Sequence, residues 1–237
     1  MSLQGFLFIN KPAGVSSYDC VRYIKKLLPP RTKIGHTGTL DVFASGLLII
    51  CIGRGATKQS QTLLDSDKAY VVKAKLGELT DTLDYTGIVT QTVAVPAVTK
   101  DELVTAMHSL QPSYLQVPPV FSALKHKGQP LYKLARTKQL SEHDIDTIAQ
   151  QKARTVSIYT IDLIAFEPPF FSFNVFVSKG TYVRSLANDI AQKLGIPATT
   201  YQLERTKIGS ALLTEAIALH DFKNYDDVVR AIKTEVK

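Results

Sequence analysis

The chain has 237 residues, 45% of them hydrophobic, with a formal net charge of +7 and a pI of about 9.3. This length and apolar content predict a sizeable core, and the two widely separated cysteines, Cys20 and Cys51, exclude a disulfide framework or a paired zinc motif and indicate a reducing cytoplasm. The apolar run at the N-terminus is too short for a signal peptide or a membrane span. The basic charge favours nucleic acid as a partner, although many soluble proteins are moderately basic.

Local patterns predict the elements of the first third of the chain. GFLFI predicts a strand, and Ser16 with Asp19 forms an S-x-x-D capping box for a helix that ends before Pro29 and Pro30. LLIICIG predicts a short buried strand, and ATKQSQTLL predicts a helix. KAYVVKAKL alternates apolar and polar residues as a half-buried strand does, with its inward residues at Tyr70, Val72, Ala74 and Leu76.

The later patterns complete a mixed α/β chain rich in antiparallel strands. Helices are predicted over Thr99–Leu110 and over TYVRSLANDIAQKLGIP, the second capped by Thr181, and strands over TVSIYTIDLIAF and FFSFNVFV. Between them, the Pro-interrupted segment Val117–Lys138 predicts an exposed basic arm. Its cationic residues are Lys125, Lys127, Lys133, Arg136 and Lys138. No repeat, low-complexity tract or Ser/Gly linker divides the chain, so we predict one domain.

Motif spacing excludes several common kinds of site. GRGATKQS lacks the GxxxxGK[ST] spacing that wraps backbone amides around phosphates. The five histidines form no HxxxH or HExxH pair, so no metal site is predicted. A GxSxG nucleophile elbow is absent because ASGLL, around Ser45, lacks the first glycine. Carboxylates therefore remain as the candidates for chemistry.

Asp41 lies in the stretch GHTGTLDVFASGLL, where Gly35, Gly38 and Gly46 allow tight backbone paths and the close approach of a ligand. The alternative is that Asp41 caps a helical turn over Val42–Ser45, which is an ordinary use of aspartate. Composition by itself favours the capping interpretation.

Two further residues, Tyr70 and Arg184, are candidates for the functional site, and the sequence supports Arg184 more strongly. Tyr70 lies on an apolar strand face, where a core tyrosine is more common than a site residue. Arg184 falls in the first turn of a predicted helix, where the helix dipole disfavours a cation. A residue that breaks a local rule in this way is a reasonable functional candidate.

Seven stretches, in order over most of the chain, match the motifs of one enzyme family. They are INKPAGVSS, GHTGTLDVFASGLL, GRGATK, SDKAY, LGELTDTLDYTG, PPVFSALKHKGQPLYKLAR and SKGTYVRSLANDI. On these motifs the chain resembles the TruB family, the tRNA pseudouridine-55 synthases. The resemblance implies the pseudouridine synthase fold, an α+β arrangement with a mixed, mainly antiparallel sheet, flanking helices and a central catalytic cleft.

The resemblance also implies an activity. Members of this family cleave the N-glycosidic bond of uridine-55 in the T loop of tRNA, rotate the base and rejoin it through C5. The target nucleotide must be flipped out of its loop, and an aspartate forms a covalent adduct with the sugar or the base. The implied partner is the T arm of tRNA, with no membrane, and a monomer is the default. No cofactor is implied because the rearrangement is redox-neutral.

Residue roles follow from the same resemblance. Asp41 matches the nucleophile, Arg184 the cation that keeps it ionised, and Tyr70 the tyrosine that stacks on the target uracil and assists proton removal at C5. The matched substrate-binding residues are His36, which would fill the space left by the flipped base, and Lys11, Pro12, Lys58, Tyr182 and Leu203. Glu204 stands where many relatives carry a basic residue, and we assign it no role.

The chain length sets two further expectations. Relatives commonly carry a C-terminal PUA-like module, whereas this sequence ends soon after LTEAIALHD, so we expect a single catalytic domain over residues 1–237 without that module. The alternative to an enzyme is an RNA-binding or tRNA-folding factor with a vestigial site. The joint presence of Asp41, Tyr70 and Arg184 favours the enzyme, because a pure binding protein needs no nucleophile.

Overall fold

The computed structural model describes residues 3–122, 124–126, 128–131, 134, 137 and 141–236. The chain divides into two compact units, a first unit of Met1–Val71 with Gln202–Lys237 and a second unit of Val72–Tyr201. The expectation of one catalytic domain over residues 1–237 stays a prediction.

Helices are interspersed among the strands along the chain. The strands are β1 Gly5–Lys11, β2 Ile34–His36, β3 Ser45–Ile52, β4 Lys68–Leu76, β5 Glu78–Thr80, β6 Val89–Thr92, β7 Ser113–Gln116, β8 Lys125–His126, β9 Gln129–Pro130, β10 Arg154–Glu167, β11 Phe170–Val177, β12 Ala198–Ile208, β13 Ala211–Leu212 and β14 Ile217–Ala218. The helices are α1 Ser17–Lys26, α2 Gly53–Lys58, α3 Ser60–Leu64, α4 Lys100–His108, α5 Glu142–Gln151, α6 Val183–Gln192 and α7 Tyr225–Ala231, with 3₁₀ turns at Leu213–Glu215 and Leu219–Asp221. Among the helices described, none is long and apolar enough to cross a bilayer.

Strands β1 and β3 form the centre of the first unit and pair antiparallel along the length of β1. Strand β14 pairs parallel with β1, β2 antiparallel with β3, and β12 parallel with β3. Both faces of β1 are covered, since Leu7 and Ile9 belong to one buried cluster and Phe6 and Phe8 to another. This burial on two sides explains why GFLFI is a continuous apolar run rather than an alternating one.

Helix α1 confirms the predicted capping box. The Oγ of Ser16 accepts the N–H of Asp19 at 3.1 Å, and the Asp19 carboxylate accepts the N–H of Ser16 at 3.3 Å. The buried face of the helix, with Val21 and Ile24, packs into the same cluster as Leu7. A cap of this kind is worth about 1 kcal/mol, which helps to fix where α1 begins.

The second unit is built on antiparallel strands, with β11 and β7 on the two sides of β10. Helix α4 packs against α6 and against β10. The predicted inward residues of β11 are confirmed, because Phe171, Phe173, Val175 and Val177 are all buried. The alternating burial predicted for β4 is confirmed as well. The mixed α/β class, with mainly antiparallel strands and flanking helices, is therefore as predicted.

Two helix predictions need correction. The helix predicted from ATKQSQTLL is divided into α2 and α3, which meet at Gln59. Helix α6 has Tyr182 rather than Thr181 as its N-cap, and the Thr181 hydroxyl donates to the carbonyl of Ser178 at 2.9 Å. The N-cap was misplaced because the groups that bond to Tyr182 come from β7, far away in sequence.

The capping interpretation of Asp41 is also wrong. It required a helical turn over residues 42–45, but Val42 and Phe43 form a bend and Ser45 already begins β3. The continuous apolar run after Gly46 favours a strand in this place.

The predicted basic arm is described only in part. Strands β8 and β9 pair antiparallel as a short hairpin, with His126 opposite Gln129. The cationic side chains predicted for the arm lie outside the described part of the chain; they are Lys125, Lys127, Lys133, Arg136 and Lys138.

Candidate active site

Asp41 lies half-buried in the loop between β2 and β3 of the first unit. Its carbonyl accepts the N–H of Ala44 at 3.2 Å, which closes a turn just before β3. At Gly46 the backbone has a φ of +107°, and a Cβ there would lie 2.4 Å from the carbonyl oxygen of Arg205. Glycine is required at this position because strand β12, rather than a ligand, approaches the backbone.

Ser17, the first residue of α1, holds the residue before Asp41. Its hydroxyl accepts the N–H of Leu40 at 2.9 Å and donates to the carbonyl of Leu40 at 3.0 Å. Ser17 is buried, so these bonds do not compete with bulk water. Both backbone groups of Leu40 are therefore fixed by one side chain.

Lys11 holds the residue after Asp41. Its ammonium, which is fully buried, donates to the carbonyls of Pro12 at 2.9 Å, Val15 at 2.6 Å and Val42 at 3.4 Å. Burial lowers the pKa of Lys11 to about 8, and the nearby charge of Arg205 also lowers it, whereas Cys20 and Asp41 act in the opposite direction. A cation thus lies close enough to Asp41 to interact with its carboxylate.

Arg205, on β12, carries no role in the sequence analysis, yet it is 1% exposed and faces the same loop. Its Nε donates to the carbonyl of Leu47 at 2.8 Å, its Nη1 to that of Thr39 at 3.3 Å and its Nη2 to that of Gly38 at 3.3 Å. One signal could have found it: Leu203 and Arg205 are two residues apart on a strand, so they share a face. A cation on an apolar strand face is uncommon enough to mark a site.

Tyr70, on β4, is 8% exposed. Burial raises its pKa, and the charge of Asp41 adds to this effect, whereas the charge of Arg205 and a hydrogen bond with Arg205 lower it. The phenol is therefore protonated at neutral pH. Tyr70 is both a core tyrosine and a neighbour of Asp41, so the two interpretations of this residue are compatible.

His36 ends β2, opposite Ile50 of β3. Burial lowers its pKa, with a smaller contribution from the charge of Arg205, so the ring is neutral at neutral pH. Its Nδ1 is buried and has no hydrogen-bond partner among the residues that the structure describes. The first unit thus gathers Lys11, His36, Asp41 and Tyr70 around Arg205.

Arg184 lies in the second unit, on α6, where it is 4% exposed. Its Nη1 is 3.6 Å from the Oδ2 of Asp84 and also donates to the carbonyl of Thr82, and its Nη2 donates to the carbonyl of Phe121 at 3.1 Å. These contacts offset the cost of a buried cation in the first turn of a helix. The pairing of Arg184 with Asp41 stays a prediction.

The start of α6 is held by a buried amide. The side chain of Gln116, on β7, accepts the N–H of Tyr182 at 2.8 Å and donates to its carbonyl at 3.1 Å. The same amide donates to the hydroxyl of Tyr114 at 2.6 Å, and that hydroxyl donates to Asp189 at 2.8 Å. Burial raises the pKa of Asp189 to about 6, although its bonds to Tyr114 and Gln116 lower it.

The other predicted binding residues lie in different surroundings. Leu203 is buried on β12, and Pro12 is half-buried beside Lys11. Lys58 is exposed at the end of α2. The ring of Tyr182 carries the guanidinium of Arg154 over its face, 5.3 Å from the centroid.

Known structures and sequences resemble this chain closely. A solved chain from the "Crystal Structure of a Cbf5-Nop10-Gar1 Complex" matches 92% of it with 29% identity and a TM-score of 0.68. A chain from the "Structure of H/ACA RNP bound to a substrate RNA containing 2'-deoxyuridine" matches 92% with 27% identity and a TM-score of 0.65. The chain spans about half of those two, at 53% and 51% of their lengths.

Two curated proteins called "tRNA pseudouridine synthase B" are also similar. The one from Clostridium tetani (strain Massachusetts / E88) is 40% identical over 219 residues, which are 92% of this chain and 72% of that protein. The one from Haemophilus influenzae (strain 86-028NP) is 40% identical over 221 residues, 93% of this chain and 69% of that protein. The family described as "TruB family pseudouridylate synthase (N terminal domain)" matches residues 25–183. The chain therefore belongs to the TruB family of pseudouridylate synthases, which are isomerases.

Proposed function

We propose that this chain is a tRNA pseudouridine synthase that converts uridine-55 of the T loop to pseudouridine. Its curated relatives, similar over more than nine-tenths of the chain, carry the name tRNA pseudouridine synthase B. The observation that carries the proposal is the position of Asp41, which lies beside Tyr70 and Lys11 while the backbone on both sides of it is held by buried side chains.

The first step is access to the base. A uridine within the folded T loop is out of reach of a half-buried carboxylate, so the nucleotide must be flipped out at a cost of a few kcal/mol. His36, whose ring is neutral and flat, fills the vacated stacking space in the RNA. A neutral imidazole suits this role, because it can stack between bases without the desolvation cost of a charge.

The second step is the isomerisation. The Asp41 carboxylate attacks the nucleotide, the bond between N1 of uracil and C1′ of ribose breaks, and the base rotates. A bond then forms between C5 and C1′, the proton on C5 leaves, and N1 takes up a proton. If the carboxylate attacks C1′, formation of the C5–C1′ bond displaces it. If it attacks C6 of uracil, it leaves when the C5 proton is removed.

Tyr70 and Arg184 assist the isomerisation. The Tyr70 ring stacks on the target uracil, and its protonated hydroxyl can hydrogen-bond to the base or to water near C5. Arg184 supplies a positive charge that stabilises the Asp41 carboxylate. Leu203 and Tyr182 pack beneath the base.

The RNA backbone is bound by cations at the surface. Lys58 is exposed and can contact a phosphate, as can the basic residues of the segment Val117–Lys138. Lys11 and Pro12 instead shape the floor of the site, because the Lys11 ammonium is fully buried. Each phosphate neutralised in this way adds salt-sensitive affinity.

A tritium-release assay tests the proposal. Transcripts of tRNA carrying 5-tritiated uridine are incubated with the wild type and with Asp41→Asn, which keeps the shape of the side chain but not its charge. Asp226→Asn, an exposed carboxylate in the same unit, is the matched control. We expect release with the wild type and the control, and a rate at least about 10³-fold lower with Asp41→Asn.

Two results would contradict the proposal. Absence of release with the folded wild type would favour the RNA-binding or tRNA-folding factor with a vestigial site. Undiminished tritium release in Asp41→Asn would show that the protein is an enzyme in which Asp41 is not the nucleophile.

A further inference from the structure

Arg205 is a buried cation that the proposed reaction does not use. Its side chain is fully enclosed in the first unit, and removing a guanidinium from water is costly unless its donors are satisfied. Three of those donors bond to main-chain carbonyls, those of Gly38, Thr39 and Leu47. A planar fork of donors suits this task, because Nε and the two Nη atoms point in fixed directions.

Two of the three carbonyls that Arg205 binds lie just before Asp41. Gly38 and Thr39 are followed by Leu40, whose N–H and carbonyl are both bonded to the Ser17 hydroxyl. The bonds from Arg205 and Ser17 thus fix three consecutive residues ahead of Asp41. The third carbonyl, that of Leu47, ties the same guanidinium to β3 behind the loop.

Arg205 also interacts with Tyr70. Its charge and hydrogen bonding lower the pKa of the Tyr70 phenol, whereas the charge of Asp41 acts in the opposite direction. A single rigid group therefore binds the loop that carries the carboxylate and acts electrostatically on the phenol.

We infer that Arg205 is a positioning residue that fixes Asp41 and the Tyr70 hydroxyl relative to each other. The inference rests on the proposed function, in which Asp41 is the nucleophile. Covalent attack needs the reacting atoms aligned within a few tenths of an ångström, and a displacement of about 1 Å can cost about 10²-fold in rate. Loss of this positioning reduces the rate of the chemical step without reducing the affinity for RNA.

The test measures the rate constant of a single turnover at saturating enzyme and, separately, the Kd for a tRNA transcript. Arg205→Lys keeps the charge and loses the planar fork, and Arg205→Met loses both. Arg230→Lys, on exposed α7, is the matched control. We expect at least about a tenfold lower rate with Arg205→Lys and a larger loss with Arg205→Met, while Kd changes less than about threefold.

Rates are expressed per folded molecule, with the folded fraction taken from an unfolding curve at the assay temperature. An unchanged rate per folded molecule in Arg205→Lys would overturn the inference, as would a weaker Kd that accounts for the whole loss. If neither Arg205 variant folds, Arg205 is a stability residue and the inference fails as well.

A further variant changes the support of the Asp41 loop while Arg205 stays intact. Ser17→Ala releases the backbone of Leu40, and we expect a lower single-turnover rate at unchanged Kd. An unchanged rate in Ser17→Ala would contradict positioning through this loop. Asp41→Asn is measured in parallel: if it reacts at the wild-type rate, the proposed function fails, whereas an inactive Asp41→Asn with a fully active Arg205→Lys overturns only the present inference.

Discussion

Lys11 shows how one buried group can make the site sensitive to pH. Burial lowers the pKa of its ammonium to about 8. The charge of Arg205 also lowers this pKa, whereas Cys20 and Asp41 raise it. Above that pH the group loses a proton and with it one of the donors that hold Pro12, Val15 and Val42. The carboxylate of Asp41 loses a neighbouring charge at the same time.

We therefore predict that the single-turnover rate falls as the pH rises through about 8. In Lys11→Arg the cation stays protonated, so this alkaline limb should move to higher pH, whatever the rate at neutral pH. The measurement is the pH dependence of tritium release in both proteins. An alkaline limb at the same pH in Lys11→Arg would contradict the assignment of that limb to Lys11.

At the level of single residues, short motifs predicted candidate site residues but not the side chains that contact them in the fold. Asp41 and Tyr70 lie in local patterns that can be read directly, and the structure places them within electrostatic range of each other. Arg205 was not predicted because its partners, Gly38, Thr39 and Leu47, lie more than 150 residues away in sequence. A local pattern carries no information about such a contact.

Among the elements, helix α6 also has a feature that depends on a contact between residues far apart in sequence. Its apolar periodicity predicts its existence and its buried face, which includes Val183, Leu186 and Ile190. Its first residue was predicted wrongly because Gln116, 66 residues away, binds both backbone groups of Tyr182 and replaces a local cap. In α1, by contrast, the cap is local, and its start was predicted correctly.

The buried network at α6 predicts a pH-dependent stability. Burial raises the pKa of Asp189 from 3.8 to about 6, so the folded protein holds this proton more tightly than the unfolded chain. The contribution of Asp189 to the free energy of unfolding is therefore complete below pH 3.8 and is lost as the pH rises through about 6. Relative to Asp189→Asn, the wild type should lose about 2 kcal/mol between pH 4 and pH 7.

Denaturant unfolding at these two pH values checks the prediction. Asp162→Asn, an exposed carboxylate on β10 of the same unit, is the control and should show no such change. A difference between the wild type and Asp189→Asn that does not vary with pH would contradict the assignment.

At the scale of the whole molecule, the order of seven motifs predicted the family, and composition predicted the partner class. The fold class followed from the alternation of apolar and polar residues in β4 and β11 and from the continuous apolar runs in β1 and β3. A strand buried on one face alternates in this way, and a strand buried on both faces is apolar throughout. The division into two units was not predicted, because its boundaries lie inside β4 and β12, where no change of composition marks them.

The net charge of +7 predicts salt-sensitive RNA binding. We expect the logarithm of the affinity for a T-arm hairpin to fall linearly with the logarithm of salt concentration, with a slope of about −0.7 to −0.9 for each phosphate contacted. Lys58→Ala should weaken binding and reduce the slope by about one contact, with the single-turnover rate unchanged at saturation. Fluorescence anisotropy over a range of KCl concentrations measures the affinity and the slope. A slope that is the same in Lys58→Ala and the wild type would exclude a phosphate contact at Lys58.

We propose that this chain converts uridine-55 of tRNA to pseudouridine with Asp41 as the nucleophile. The most direct test treats a tRNA transcript with the wild type or with Asp41→Asn, labels pseudouridine with a carbodiimide and maps the labelled nucleotide by primer extension. We expect a stop beside position 55 after wild-type treatment and none after Asp41→Asn. A stop at another uridine alone, or an equal stop at position 55 with Asp41→Asn, would contradict it.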